Sequence, residues 1–275
     1  MNNLTQRIIT GSLFVAALVL CIIWNEYSTA LIFLVFSTLA TVEFYQILNK
    51  KELSNNTKYG PFVNVVVYTL LSLVFIEEIK EYRILFLIVP FLFILVLQEL
   101  FAKDNIPYQN ISSTLFALLY ITLPFACLNY LSFNDDIYSK IGLGENWSLL
   151  LGFFIILWTS DSMAYVVGKA IGKHKLIPRI SPGKTWEGLA GGLVFSILAG
   201  FLFAYVTDSS VFHWMIMAAI ISIFGLLGDL SESLLKRSAD VKDSGTLLPG
   251  HGGVLDRFDG ILFSAPLVLT YLLFI

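Results

Sequence analysis

Nine apolar stretches, separated by short polar connections, follow one another along the chain. They cover approximately residues 8–24, 29–48, 61–76, 84–101, 110–132, 147–168, 187–206, 212–228 and 259–275. Stretches of this length can cross roughly 30 Å of hydrocarbon as helices, and lipid cannot satisfy the hydrogen-bonding groups of open strands. The pattern therefore predicts an all-α, polytopic bundle of about nine transmembrane helices.

Polar residues are unevenly distributed over this pattern. Residues 1–132 have short, plain connections, and isolated acids such as Glu43 and Glu99 lie near the ends of stretches, where snorkelling to the interface is expected. Residues 133–275 contain most of the glycines and nearly all the polar groups within apolar stretches. We therefore predict a transmembrane scaffold over 1–132 and a functional region over 133–275.

The composition agrees with a membrane location. With 57% hydrophobic residues, 13% charged residues and a mean hydropathy of +0.79, the chain is not a water-soluble globule. The first stretch follows Arg7 but lacks a clear small-x-small cleavage site, so we interpret it as a retained span and not as a signal peptide. The expected surroundings are a lipid bilayer, and no nucleic-acid partner is expected.

The basic residues predict the orientation of the bundle. With the N-terminus in the cytoplasm, only Lys80, Arg83 and Lys140 of the 17 basic residues lie outside. Fourteen then lie inside: Arg7, Lys50, Lys51, Lys58, Lys103, Lys169, Lys173, Lys175, Arg179, Lys184, Lys236, Arg237, Lys242 and Arg257. This asymmetry is the positive-inside pattern, and it places the connections 169–186 and 229–258 together on the cytoplasmic face.

Asp161 lies inside the sixth stretch with hydroxyl neighbours at Thr159, Ser160 and Ser162. An acid within an apolar helix is costly and indicates a functional group, so we expect Asp161 to line a polar cavity and to help bind a cation. A hydrogen bond between helices is the alternative. Two Gly-x-x-x-Gly spacings nearby favour close helix packing: Gly168 with Gly172, and Gly188 with Gly192.

The connection from Lys169 to Glu187 leads into a helix start. Ser181, Lys184 and Thr185 precede the seventh stretch, and a basic side chain beside free helix N–H groups is a suitable phosphate site. Contact with anionic lipid is the alternative, and it explains Lys173 better than it explains this Ser-Pro-x-Lys-Thr sequence.

The densest polar run lies between the last two apolar stretches, from Gly228 to Gly260. If the eighth helix continues, Asp229, Ser233 and either Lys236 or Arg237 follow an i, i+4, i+7 or i+8 spacing and share one face. A carboxylate, a hydroxyl and a cation then point the same way. Membrane anchoring accounts for the two basic residues alone.

The second half of this run contains Asp256 and Asp259, which would share a face at a helix start and gain from the helix dipole. Together with Asp229 they form a candidate Mg²⁺ site, because Mg²⁺ prefers carboxylate, phosphate and water oxygens. Capping of the helix is the alternative for Asp256. The candidate phosphate contacts are Lys242, Arg257 and the amides of Gly252 and Gly253, while His251 is either a base, a phosphate contact or incidental.

These motifs resemble the signature of one enzyme family. Ser233-x-x-Lys236-Arg237, Lys242-Asp243 and Pro249-x-His251-Gly252-Gly253-x-x-Asp256-Arg257-x-Asp259 are similar to the signature of the phosphatidate cytidylyltransferases, or CDP-diacylglycerol synthases. Ser181-Pro182-x-Lys184-Thr185-x-Glu187-Gly188 and Asp161-Ser162-x-Ala164-Tyr165 are similar to further motifs of that family.

The resemblance implies a membrane nucleotidyltransferase of phospholipid biosynthesis that condenses CTP with phosphatidic acid into CDP-diacylglycerol and pyrophosphate. It implies Mg²⁺ and K⁺ as cofactors, a homodimer, and Asp229 and Asp256 as principal metal ligands. The expected location is the bacterial inner membrane, with the polar cavity on its cytoplasmic side. The full expected metal set is Asp161, Asp229, Asp256 and Asp259. The expected catalytic residues are Asp229, Lys236, Arg237, His251, Asp256 and Asp259, and the expected nucleotide contacts are Ser181, Lys184, Thr185, Ser233, Lys242, Gly252, Gly253 and Arg257.

Charge chemistry agrees with this expectation. Attack of a lipid phosphate on CTP brings two anions together, so positioning and charge neutralisation matter more than a strong base. Two other classes remain open at this point. A CTP-dependent lipid kinase would transfer the γ-phosphoryl group, and a secondary transporter would place its polar groups near the membrane midplane.

Overall fold

The computed structural model describes residues 3–51, 59–75, 82–102, 106–144, 146–245, 247 and 252–275, and only the backbone of residues 3–8, 75, 82, 84 and 146. Within these residues most of the chain is helical. The helices are α1 Asn3–Trp24, α2 Glu26–Asn49, α3 Tyr59–Phe75, α4 Ile88–Phe101, α5 Pro107–Ala117, α6 Leu123–Ser132, α7 Asp135–Ile141, α8 Asn146–Ile171, α9 Trp186–Val206, α10 Val211–Ser238, α11 Leu255–Phe258 and α12 Ile261–Leu273. A 3₁₀ turn precedes α4 over Tyr82–Leu87, and a π turn joins α5 to α6 over Leu118–Thr122.

Each predicted apolar stretch coincides with helix in the described residues, so the chain is an all-α membrane protein. Among the described residues, five helical segments are long and apolar enough to cross a bilayer: Glu26–Asn49, Pro107–Ser132, Trp147–Ile171, Trp186–Val206 and Val211–Ser238. Shorter apolar helices cover Ile9–Trp24, Tyr59–Val74 and Leu85–Phe101. The total of nine spans stays a prediction.

Two local features differ from the expected pattern. Before α9 the chain forms an antiparallel hairpin of β1 Lys175–Ile177 and β2 Ser181–Thr185. The last helix begins at Ile261, since a turn at residues 259–260 separates it from α11, and in this turn the Asp259 side chain accepts the Gly260 N–H at 2.7 Å. Asp256 thus lies within α11 and Asp259 in the turn that follows it, so the two acids do not belong to one regular helix; that they share a face stays a prediction.

The chain divides into two compact units. The first comprises residues 1–133 and 238–257, and the second comprises 134–237 and 258–275. The segment 238–257 thus belongs to the unit that is otherwise formed by the N-terminal helices. The predicted division of roles between 1–132 and 133–275 stays a prediction.

Buried polar side chains connect the helices of the first unit. Asn64 on α3 donates to Ser37 and Thr38 of α2 at 3.2 and 3.1 Å, and it accepts from Thr122 at 2.6 Å. Glu99 is buried and accepts from Asn110 at 3.0 Å. Such side-chain bonds hold membrane helices together where hydrophobic burial supplies little driving force.

Close contact between α8 and α9 organises the second unit. A Cβ atom on Gly188 would lie 2.7 Å from the Ala164 carbonyl oxygen and 3.3 Å from the Gly168 Cα. The glycines therefore let the two backbones approach, as their spacing predicted. Ser160 of α8 is hydrogen-bonded to Ser222 of α10 at 2.8 Å, so the helix-helix alternative is realised at this hydroxyl.

Candidate active site

Three carboxylates converge in the second unit. Asp229 and Glu232 project from α10, Asp259 follows from the turn before α12, and one oxygen of each lies within 4.8 Å of the other two. Gly228 permits this approach, because a Cβ atom there would overlap the Asp259 carbonyl oxygen. We call these three side chains the carboxylate cluster.

Lysine side chains partly neutralise the carboxylate cluster. Lys184 of β2 lies 2.7 Å from Asp229 Oδ2, and Lys236 forms an ion pair with Glu232 one turn along α10. Glu232 is fully buried, and burying an acid is costly unless a cation compensates it. The cluster therefore combines anionic oxygens with ammonium groups that can also contact phosphate.

The hairpin that carries Lys184 is fixed to the start of α9. Thr185 caps this helix by accepting the Gly188 N–H at 3.1 Å. Glu187 accepts the backbone N–H groups of Lys173 and His174 at 3.1 and 3.2 Å, and one of its oxygens lies 2.6 Å from the His174 ring. These contacts hold the hairpin closed, so Lys184 is presented from a short and well-bonded loop.

Asp161 of α8 belongs to the same neighbourhood. It lies close enough to Asp229, Asp259 and Lys184 for their charges to interact with its carboxylate. Carboxylates gathered in this way repel one another unless positive charge is supplied. Asp161 therefore extends the anionic region beyond the carboxylate cluster, and its predicted place beside a polar cavity stays a prediction.

The donor set suits a hard divalent cation. Carboxylate oxygens are the ligands that Mg²⁺ takes from proteins, and substrate phosphates and water complete its coordination. Asp229 and Asp259 were predicted for this role. Sequence reasoning missed Glu232, although its i+3 spacing from Asp229 places it on the same side of the helix.

The remaining predicted residues of α10 lie near the hairpin. Ser233 Oγ donates to Asp229 Oδ1 at 3.3 Å. Arg237 Nε approaches the Ile180 carbonyl oxygen at 3.5 Å, just before β2, where Ser181 is partly buried. The predicted alignment along α10 thus brings Ser233 to Asp229, whereas the nearest acid to Lys236 is Glu232.

Asp256 lies in the first unit and binds the segment around it. Its Oδ2 accepts the Ser244 N–H at 3.0 Å, the Ser244 hydroxyl at 2.9 Å and the Gly253 N–H at 2.8 Å. The Gly253 amide would have to release this bond to contact phosphate. The metal and phosphate roles expected of this segment stay predictions.

The other expected residues of this segment are exposed or outside the described chain. Lys242 and Arg257 are exposed, and Gly252 has a φ of +83° that favours glycine. His251 lies outside the described residues. Asp240, which lies within the segment 238–257, bonds Lys51 just after α2, and this contact lowers the pKa of Asp240 below its usual range.

Glu43 is a further acid whose surroundings the sequence analysis did not predict. The expected snorkelling is wrong, because Glu43 is fully buried and accepts the Val254 and Leu255 N–H groups at 2.9 and 2.8 Å. The same expectation is wrong for Glu99, whose carboxylate binds Asn110 inside the unit. Internal donors make burial possible for both acids: those of Glu43 are more than 200 residues away in sequence, and that of Glu99 is 11 residues away.

Comparison with known proteins adds an independent line of evidence about the family of this chain. The model for the cytidylyltransferase family matches residues 5–275. The chain is 33% identical over 276 residues to the phosphatidate cytidylyltransferase of Bacillus subtilis strain 168, covering 97% of this chain and 96% of the relative. It is 36% identical over 233 residues to the phosphatidate cytidylyltransferase of Staphylococcus aureus strain COL, covering 76% of this chain and 89% of the relative.

Proposed function

The chain belongs to the cytidylyltransferase family and is a nucleotidyltransferase, and from this premise we propose that it condenses CTP with phosphatidic acid. A phosphate oxygen of the lipid attacks the α-phosphorus of CTP, the bond to the β-phosphate breaks, and CDP-diacylglycerol and pyrophosphate are released. Relatives named phosphatidate cytidylyltransferase support this choice of substrates.

The observation that carries the mechanism is the carboxylate cluster with its lysines. Asp229, Glu232 and Asp259 would hold Mg²⁺. A bound cation would neutralise phosphate charge and orient the two substrates. Asp161 is assigned to the edge of this site, where a second cation, K⁺, would reduce the remaining repulsion.

The basic side chains bind and orient the phosphates. Lys184 and Lys236 already lie beside cluster acids, so a triphosphate can exchange for a carboxylate as their partner with little movement. Arg237 and Arg257 would contact the pyrophosphate, with Ser181, Thr185, Ser233 and Lys242 around the nucleotide. Charge stabilisation by preplaced donors is the main catalytic effect available here.

The remaining parts of the proposal concern the lipid substrate, the orientation of the site, the oligomeric state and two further residues. The acyl chains of phosphatidic acid would remain between helices in the bilayer, and only the headgroup would enter the polar region. We propose that the site faces the cytoplasm of a bacterial cell, where CTP is available, and that the enzyme is a homodimer. Asp256 is proposed as a further metal contact during catalysis, and His251 as a phosphate contact.

Positional labelling tests this reaction directly. Purified protein is incubated with Mg²⁺, K⁺, phosphatidic acid and CTP that is labelled at either the α- or the γ-phosphate. We expect α-label in the lipid product and γ-label in pyrophosphate, because the nucleotidyl group is transferred. Label from the γ position in lipid would instead identify a lipid kinase and overturn the proposal. Chelation cannot separate the two reactions, because each depends on metal.

A further inference from the structure

We propose that Glu43 is a positioning residue that reaches from α2 to the segment 242–257 and holds Asp256 in place for catalysis. This inference rests on the proposed function, since it assigns Asp256 a part in that reaction. It also gives the N-terminal helices a role beyond that of a scaffold.

Backbone hydrogen bonds fix the segment to Glu43. Oε1 accepts the Val254 N–H at 2.9 Å, and Oε2 accepts the Leu255 N–H at 2.8 Å. Both donors immediately precede Asp256. A carboxylate that binds two consecutive amides sets the direction in which the chain leaves them, and therefore where the Asp256 backbone begins.

Two glycines make room for the Glu43 carboxylate. A Cβ atom on Gly245 would lie 2.5 Å from Glu43 Oε1, and one on Gly253 would lie 2.7 Å from the Glu43 carboxyl carbon. Any larger side chain at either position would displace the carboxylate. These glycines therefore shape the segment around an acid that precedes them by about 200 residues, as its bond to Ser244 at a separation of 201 shows.

Ser244 connects Glu43 to Asp256 directly. Its buried hydroxyl lies 3.0 Å from Glu43 Oε2 and 2.9 Å from Asp256 Oδ2. A serine hydroxyl has one proton and donates to one carboxylate at a time, while the Ser244 N–H gives Asp256 a second, constant donor at 3.0 Å. The position of the Asp256 carboxylate is thus defined by groups that Glu43 holds.

A second contact lies just before the segment 242–257, close to the end of α2. Lys51 forms an ion pair with Asp240, which has a positive φ of 55°. This pair is exposed at the surface, where ion pairs add little stability. We therefore assign the placement of Ser244, Val254 and Leu255 mainly to the buried Glu43.

The test compares Glu43→Gln with Glu99→Gln. Both variants remove the charge of a buried acid of the first unit, but Glu99 binds Asn110 and not the segment 242–257. The amide nitrogen of a glutamine at position 43 cannot accept either backbone N–H. Loss of an outer partner typically costs about 10–100-fold in metal affinity or activity, so we expect Glu43→Gln to raise the Mg²⁺ concentration for half-maximal activity and to lower kcat by that range.

Matched measurements keep a folding defect apart from a positioning defect. Thermal unfolding in detergent is recorded for both variants, and Glu99→Gln should alter the unfolding temperature without moving the Mg²⁺ midpoint. If Glu43→Gln does not fold, Ser244→Ala carries the test, since it removes only the shared hydroxyl, and a raised Mg²⁺ midpoint is expected there too. An unchanged midpoint in the folded variant overturns the proposal.

Asp256→Asn separates this inference from the proposed function. If it loses activity while Glu43→Gln behaves like Glu99→Gln, the positioning role is wrong and the proposed reaction stands. If Asp256→Asn retains normal turnover and Mg²⁺ dependence, the catalytic part assigned to Asp256 is wrong, and the positioning role falls with it.

Discussion

Asp229 and Glu232 lie within one turn of α10, and each is paired with a lysine. They differ in surroundings, because Glu232 is fully buried whereas the Asp229 side chain is 39% exposed. A cation bound at the carboxylate cluster would thus contact one buried acid, Glu232, and one partly exposed acid, Asp229.

Removing charge from this cluster should abolish turnover and leave the protein in the membrane. We expect Asp229→Asn and Glu232→Gln each to lower kcat by about 100-fold or more, the usual cost of losing a group that stabilises the transition state. Activity is measured over a wide range of Mg²⁺ concentrations. Lys50→Gln, an exposed change beyond the end of α2, serves as the control and should be nearly silent.

The sequence identified Asp229 and Asp259 as site residues because acids in a polar run between apolar helices are conspicuous. Glu232 and Glu43 were harder to recognise, for different reasons. Glu232 was missed, although its i+3 spacing from Asp229 places both acids on the same side of α10. The donors of Glu43 are more than 200 residues away, and no local pattern predicts such a contact.

The position of the hairpin depends on the contact between α8 and α9, because β2 leads directly into α9. Gly188→Ala should weaken this contact, because the added Cβ would lie 2.7 Å from the Ala164 carbonyl oxygen. Overpacking of this kind costs about 1–3 kcal/mol. We expect a lower unfolding temperature in detergent.

Gly183→Ala is the matched control for that change. It lies in the same motif, but a Cβ atom there meets nothing within 4 Å. Its unfolding temperature should stay close to that of the unmodified protein. Equal unfolding temperatures for both variants would show that α8 and α9 tolerate a wider separation.

At the scale of elements, hydrophobic length predicted the helices well because lipid leaves the backbone few alternatives. The hairpin was not predicted, since β1 has only three residues and its pairing depends on Glu187 and Thr185. The turn at Asp259 was missed because the predicted apolar stretch begins there, whereas in the structure α11 ends at Phe258 and the Gly260 N–H donates to the Asp259 side chain.

The topology of the whole molecule follows from its basic residues. We expect the N-terminus in the cytoplasm and the C-terminus outside, because nine spans with fourteen basic residues inside satisfy the positive-inside pattern. Reporter fusions at the two ends should therefore report opposite compartments. The same compartment for both would mean that the number of spans is even, so the prediction of nine spans would be wrong.

The bond between Glu43 and Val254 also has a consequence for biosynthesis. The two residues are 211 positions apart, so at about 5–20 residues per second the ribosome makes the acid roughly 10–40 s before its donor. Until Ser244, Val254 and Leu255 are made, the carboxyl group lacks these donors and needs water, lipid headgroups or temporary partners. The nascent N-terminal helices thus contain a carboxyl group without its final hydrogen-bond donors until residues as late as Leu255 have been translated.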